Sequence, residues 1–235
     1  MDDESSGVRA VVAAGLAATV VLAAAAGFLL YAGATGTGPG TADVPVLTEF
    51  LEVRSVDATT LAVTVTTIGS TAAMAVLSVL VGGWLWVRGR RLDAVFLVVA
   101  MAGASVVFRL LKLAFDRPRP PAVDRLVNET NESLPSGHAT MSIVVIGALV
   151  ALAWGRRRIA TRVGLLVAAT LWVGTVGATR LYLGVHWFSD VLAGWLVGAA
   201  WLAVCVTVWA WWRRRPAAAR SATPRATNGT FGQQV

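Results

Sequence analysis

The chain has 235 residues, of which 56% are hydrophobic and 14% charged, with a mean hydropathy of +0.68 and a formal net charge of +7. Soluble domains carry about 25% charged residues, so this composition excludes an ordinary soluble domain and indicates a membrane protein with several spans. The single cysteine, Cys205, lies in the last apolar run and excludes an internal disulfide framework.

The first apolar run follows the acidic, polar segment MDDESSGVR. A secretory signal instead begins with a positive region, has a shorter apolar part and ends at a small-residue cleavage site. We therefore predict a retained first span at 9–33 behind a short cytoplasmic N-terminus, residues 1–8. A cleaved signal is the alternative.

The segment after the first span, 34–58, is rich in glycine, threonine and proline and continues into VLTEFLEVRS. Leu47, Phe50, Leu51 and Arg54 recur there at helical spacing, which predicts a short helix. We expect this helix to lie at the membrane interface.

Five further apolar runs are long enough to cross a bilayer as helices, which takes roughly 20 residues each. They predict spans at 60–87, 92–114, 138–155, 161–180 and 187–211. The polar tail 213–235 is rich in small residues and is predicted to be disordered in the cytoplasm. The sequence therefore predicts an all-α, polytopic membrane protein with a six-transmembrane-helix bundle at 9–212.

Charged residues are distributed unequally between the two faces that six spans define. The face with both termini carries thirteen basic and four acidic residues, whereas the other carries seven basic and nine acidic residues. Because basic residues near span ends favour the cytoplasm, the termini are predicted to be cytoplasmic. The arginines form short clusters beside the spans, so we expect no nucleic-acid partner despite the net charge.

The third predicted span ends at the opposite, outer face in KLAFDRPRPP. Lys112 follows Arg109 by one helical turn, and three prolines then prevent further helix and keep the chain extended. At least one of Arg117 and Arg119 can turn inward. Lys112 is the only lysine among twenty basic residues, and its compact ammonium differs from a planar guanidinium. The alternative is that these cations simply extend to the interface.

The fourth predicted span begins at the same face with PSGH. Pro135 ends the preceding segment, Ser136 is a favourable N-cap, and Gly137 allows close approach to the backbone. The first amides of the helix lack partners and, with the helix dipole, attract an anion. His138 would lie beside that anion. An ordinary helix cap with a boundary histidine is the alternative.

The fifth and sixth predicted spans are joined at this face by TRLYLGVHWFSD. His186 and Asp190 are four residues apart and share one face of a helix. An aspartate that accepts the Nδ1 proton leaves Nε2 unprotonated and able to attack. Arg180, across the turn that contains Gly184, can hold two oxygens of one phosphate. The alternative is an interfacial His–Asp pair beside Trp187.

Three distant segments thus bring both histidines, the only lysine and several arginines to one membrane face. Burial of such charges in or near a membrane is costly unless they have a function. Cations around two imidazoles suit a phosphoryl group whose charge spreads over three equatorial oxygens in the transition state. The sequence has no H-E-x-x-H motif, no Cys/His cluster and no dense set of carboxylates, so no metal site is predicted.

The three segments resemble the signature of the type 2 phosphatidic acid phosphatase (PAP2) superfamily: K-x6-R-P, P-S-G-H and S-R-x5-H-x3-D. The matching positions are Lys112 with Arg119-Pro120, Pro135-Ser136-Gly137-His138, and Arg180 with His186 and Asp190. Thr179 stands where the family has serine and keeps a hydroxyl. The motif spacing selects Arg119 and leaves Arg117 as a neighbour. The resemblance covers about 92–205.

This resemblance implies a PAP2-like helical bundle and a phosphohistidine intermediate. His186 would be the nucleophile, Asp190 would orient it, and His138 would act as general acid and then as general base. The phosphoryl oxygens would be bound by Lys112, Arg119, Ser136, Gly137 and Arg180. The family generally works without a metal ion, so we expect no cofactor.

The leading hypothesis is a membrane phosphatase that acts on the phosphomonoester or diphosphate headgroup of a lipid, phosphatidate-like or polyprenyl, at the extracytoplasmic face. Its expected partners are this substrate and the membrane lipids. One alternative is vanadium-dependent haloperoxidase-like chemistry on the same residues, and another is lipid binding or transport without hydrolysis. The sequence leaves open the lipid tail, the oligomeric state and whether water or another alcohol accepts the phosphoryl group.

Overall fold

The structure is a computed structural model that describes residues 2–155 and 157–214. The described chain is helical without strands, and its α-helices are α1 (Asp2–Thr35), α2 (Asp43–Glu52), α3 (Val56–Ile68), α4 (Thr71–Val87), α5 (Arg91–Phe115), α6 (Gly137–Ala153), α7 (Ile159–Tyr182) and α8 (Phe188–Arg214). Short 3₁₀ helices lie at Gly38–Ala42 and Ala122–Asp124. The predicted disordered tail lies outside the described residues, except for its first two positions, which end α8.

Within the described residues, four helices are long and apolar enough to cross a membrane: α1 from Gly7, α5, α7 and α8. The bent pair of α3 and α4 would make a fifth span. The helix α6 is apolar but has only 17 residues, which is shorter than the roughly 20 that usually cross a bilayer. The all-α, multi-pass membrane fold is therefore confirmed, whereas the count of six full spans is not.

The predicted second span, 60–87, is interrupted where α3 meets α4 at an angle of 43°. Ser70 leaves helical geometry, and its Oγ accepts a hydrogen bond from the backbone nitrogen of Ala73 at 3.1 Å. Ser70 is thus the N-cap of α4. The preceding Gly69 lies against Val176 of α7, where a Cβ atom would clash. A Gly–Ser pair is a common cause of such a kink.

The predicted short helix after the first span is confirmed as α2, with different limits. It begins at Asp43 and ends at Glu52, so Arg54 lies beyond its last turn. The Arg54 side chain donates instead to the carbonyl oxygens of Tyr182 and Asp124 at 2.8 Å. These bonds tie the segment after α2 to the end of α7.

The main apolar core lies where α4, α5, α6 and α8 meet, and it includes the buried thiol of Cys205. α8 approaches α6 closely at Gly194 and Gly198, as expected for small residues between membrane helices. A Cβ atom at these two positions would lie 2.7 Å from the Ser136 oxygen and 2.8 Å from the Thr140 oxygen, respectively. This packing brings the first turn of α6 beside the first turn of α8.

Candidate active site

The three motif segments meet at one cavity of about 520 Å³. Lys112 at the end of α5, Arg119 in the following loop, Gly137 and His138 at the start of α6, and His186 before α8 all line it. The predicted convergence of these segments at one end of the bundle is therefore confirmed. Ser136 and Arg180 are buried beside the cavity and are not part of its wall.

His186 and Asp190 form the buried pair that their spacing predicts. His186 Nδ1 lies 3.2 Å from Asp190 Oδ2, which also accepts a hydrogen bond from the Trp187 backbone nitrogen at 2.9 Å. Because a carboxylate only accepts, this contact favours the tautomer with its proton on Nδ1. Nε2 is then the unprotonated nitrogen, and it accepts a hydrogen bond from Arg119 Nη1 at 3.2 Å.

The environment of His186 keeps its ring neutral. Burial lowers the pKa of His186 well below its ordinary value, and the positive charges of Arg119, Arg180 and Lys112 lower it further. A neutral imidazole at neutral pH retains the lone pair that a nucleophile needs.

Arg119 is fixed by the loop between α5 and α6. Its Nη1 donates to the Val185 carbonyl oxygen at 2.5 Å, and its Nε donates to the Asn131 carbonyl oxygen at 2.7 Å. Burial lowers the pKa of Arg119, while the charges of Glu129 and Asp190 oppose this change. Arginine remains a cation under these conditions, so Arg119 supplies a fixed positive charge beside His186.

Lys112 points into the site from the last turn of α5. Its side chain is buried, with 4% of the residue exposed, and Nζ donates to the carbonyl oxygens of Glu132 and Ser133. A lysine that extended to the membrane interface would be exposed, so that alternative does not apply to Lys112. The helix ends just beyond it, where Asp116 adopts a left-handed conformation with φ of 42°.

The start of α6 has the predicted cap. Ser136 Oγ accepts a hydrogen bond from the Ala139 backbone nitrogen at 3.5 Å, and the Ser136 backbone nitrogen donates to the Asp190 carbonyl oxygen at 3.0 Å. Gly137 lies on the cavity wall, where a Cβ atom would be 3.1 Å from Phe108. The ring of His138 makes no hydrogen bond with another described residue, so both of its nitrogens are available to a ligand.

Arg180 is held by groups that the sequence did not connect with it. Its Nη1 donates to Thr66 Oγ1 at 2.7 Å, and its Nη2 pairs with Oε1 of Glu129. The other oxygen of Glu129 lies 3.8 Å from Arg119 Nη2. The Glu129 carboxylate, which is on the cavity wall, thus lies between Arg119 and Arg180 and competes with any anion for these two guanidinium groups.

Sequence reasoning missed the contacts of three residues: Glu129, Arg117 and Asp43. Arg117 donates to Asp190 Oδ1 and to Asp43 Oδ2, both at 2.6 Å. The Arg-Pro-Arg-Pro sequence predicted that at least one of the two arginines turns inward, and both do. No spacing rule links Asp43 to Asp190, and only the structure places Asp43 in the first turn of α2. Within the described residues, no group of three or more His, Cys, Asp or Glu side chains could hold a metal ion.

A solved structure from Bacillus subtilis has a similar fold. It is a transmembrane PAP2 type phosphatidylglycerolphosphate phosphatase, with a TM-score of 0.72 and 23% sequence identity. The match covers 80% of this chain and 94% of that one. At this identity the likeness concerns the fold.

Relatives are also found by sequence. Phosphatidylglycerophosphatase B of Bacillus subtilis is 25% identical over 142 residues, which are 57% of this chain and 66% of that protein. The protein of the same name from Escherichia coli is 40% identical over 81 residues, which are 34% of this chain and 30% of that protein. The chain thus spans less than two thirds of the length of either relative.

The family profile matches a region that contains every motif residue at the cavity. The profile of the PAP2 superfamily covers residues 93–214, just over half of the chain. This match, together with the fold and the convergence of the three motifs, shows that the chain belongs to the PAP2 superfamily.

Proposed function

We propose that this protein is a membrane phosphatase that releases phosphate from the headgroup of a lipid phosphate or diphosphate through a phosphohistidine. The observation that carries the proposal is that His138 and His186 line one cavity together with Lys112 and Arg119, with His186 paired to Asp190. The names of the relatives support a lipid phosphate as the substrate.

The geometry supports a reaction in two steps. His186 Nε2 attacks phosphorus, the bond from phosphorus to the leaving oxygen breaks, and His138 donates a proton to that oxygen. Neutral His138 then takes a proton from water, whose oxygen attacks phosphorus. The bond from phosphorus to His186 Nε2 breaks in this step, which releases inorganic phosphate and restores the free imidazole of His186. Asp190 holds the Nδ1 proton of His186 throughout and stabilises the positive charge of the phosphoimidazole.

The phosphoryl oxygens would be bound mainly by Lys112, Arg119 and the backbone of Gly137, which already face the cavity. Arg180 joins them once the phosphate displaces Glu129, since both anions need the same guanidinium. Ser136 contributes by capping α6 and directing its free amides to the phosphate. Positive charge and oriented amides stabilise the negative charge on the phosphoryl oxygens in the transition state.

The reaction is tested on purified protein in detergent with phosphatidate, phosphatidylglycerophosphate and a polyprenyl diphosphate. We expect phosphate release from at least one of these lipids, at the same rate with and without EDTA, because the two-step reaction uses only side chains. Binding of the lipids without phosphate release would favour the lipid-binding alternative. Halide oxidation that depends on added vanadate would favour the haloperoxidase alternative.

We also propose that the cavity faces the extracytoplasmic side and that the termini are cytoplasmic, because basic residues near span ends favour the cytoplasm. The test uses two single-cysteine variants in a Cys205→Ser background. Val123→Cys places a thiol in the loop beside the cavity, where Val123 is 90% exposed. Ile159→Cys places a thiol at the other end of the bundle, where Ile159 is 77% exposed. A membrane-impermeant maleimide on intact cells should label only the first, and on permeabilised cells both. Labelling of only Ile159→Cys in intact cells would contradict this orientation.

A further inference from the structure

A buried network connects the His186–Asp190 pair to α2, outside the family motifs. Arg117 lies between two carboxylates, with Nη1 on Asp190 Oδ1 and Nη2 on Asp43 Oδ2, each at 2.6 Å. The side chains of Asp43, Arg117 and Asp190 are 5%, 12% and 0% exposed, respectively. Arg117 is therefore paired with two acids, of which only Asp190 belongs to a motif.

Ser189 links the same groups a second time. Its backbone nitrogen donates to Asp43 Oδ1 and its Oγ donates to Asp43 Oδ2, both at 2.8 Å. Its Oγ also accepts from Arg117 Nη1 at 2.9 Å. Asp43 thus satisfies a free amide in the first turn of α8, as an N-cap does, although it comes from another helix. That turn carries Asp190.

The end of α1 leaves space for this network. Gly33 lies beside it, and a Cβ atom there would be 3.1 Å from Ser189 Oγ and 3.3 Å from Arg117 Nη1. Gly33 and Asp43, at the two ends of the connection from α1 to α2, therefore both lie against the Arg117 and Ser189 side chains. This connection precedes the region that the family profile matches, 93–214.

The network has a consequence for charge at the pair. The hydrogen bond that Arg117 Nη2 donates to Asp43 Oδ2 holds the guanidinium in place, and the Asp43 carboxylate offsets part of its positive charge. Without the Asp43 carboxylate, Arg117 could move, and its charge would fall on Asp190 alone. Asp190 would then stabilise a positive phosphoimidazole less well and orient His186 less strictly.

We infer that Asp43 is a positioning residue that acts through Arg117 and Ser189 to hold Asp190, and thereby His186, in the geometry for attack. This inference rests on the proposed phosphatase function. It assigns a role in that reaction to the α1–α2 segment.

The primary test is Asp43→Asn, which removes the charge but keeps the size of the side chain. Glu49→Gln is the matched control, because it makes the same change on an exposed position of α2. We expect kcat for the best lipid substrate to fall about 10- to 100-fold, as for a displacement of about 1 Å at a catalytic group, with little change in KM. A kcat equal to that of the control, or a loss confined to KM, would overturn the inference.

A double-mutant cycle separates this role from a general loss of structure. If Asp43 acts through Arg117, Asp43→Asn should lower kcat much less in an Arg117→Gln background than in the wild type, because interacting positions are not additive. Independent, additive losses in kcat would contradict the inference.

Ser189→Ala provides a milder variant if Asp43→Asn does not fold. It removes only the hydroxyl between Asp43 and Arg117 and should lower kcat in the same direction. Unchanged kcat in Ser189→Ala would then overturn the inference. Turnover by the wild type distinguishes the two proposals. If the wild type is active and the variants are unaffected, only the role of Asp43 is disproved. If the wild type is inactive on every lipid, both proposals fail.

Discussion

His186→Ala is expected to abolish the covalent phosphoenzyme and to lower kcat by roughly 10⁴- to 10⁶-fold, the range seen when a catalytic nucleophile and its base act as a unit. The reason is that Nε2 of His186 is the unprotonated nitrogen that faces the cavity and lies beside Arg119. The remaining cations can still bind phosphate, so KM should change far less than kcat. This difference separates loss of the nucleophile from loss of the binding site.

The measurement is a rapid quench after brief exposure to a substrate labelled in its phosphoryl group. The chain has only two histidines, so a labelled phosphohistidine can be assigned with two variants. Label that persists in His186→Ala at the wild-type level would disprove the role of His186. Equal elution of the variant and the wild type from a sizing column, with equal melting temperature in detergent, verifies that the variant is folded.

His138→Ala is expected to divide the two steps of the reaction. General acid–base catalysis contributes about 10²- to 10⁴-fold, so release of a lipid alcohol, a poor leaving group, should slow by that factor. A nitrophenyl phosphate needs no proton on its leaving oxygen, so its first step should proceed at nearly the wild-type rate. The second step still lacks its base, and the phosphoenzyme should accumulate.

A stopped-flow assay of nitrophenolate release measures this effect. We expect His138→Ala to give a burst equal to the enzyme concentration followed by slow turnover, and His186→Ala to give no burst. If His138→Ala slows the burst as strongly as it slows release of the lipid alcohol, His138 does not protonate the leaving group. The two variants serve as controls for each other, since each replaces one of the two histidines on the same cavity wall.

Local sequence rules predicted much of this protein because they depend on neighbours in the chain. The His186–Asp190 contact follows from a spacing of four residues, and the cap at Ser136 follows from a serine before an apolar helix. The break at Gly69 and Ser70 carried a local signal as well. It was missed because the apolar run continues across it, and hydropathy reports how apolar a segment is but not whether its helix axis bends.

The sequence by itself determined the all-helical membrane class, the positions of the motifs and their convergence at one end of the bundle, because bilayer thickness and helical rise set these. Only the tertiary structure decided which charges pair. Arg180 binds Glu129, and Arg117 joins Asp43 to Asp190 across more than 70 residues on either side. No periodicity encodes such pairs, because they depend on the angles at which helices cross and on where each loop returns to the bundle.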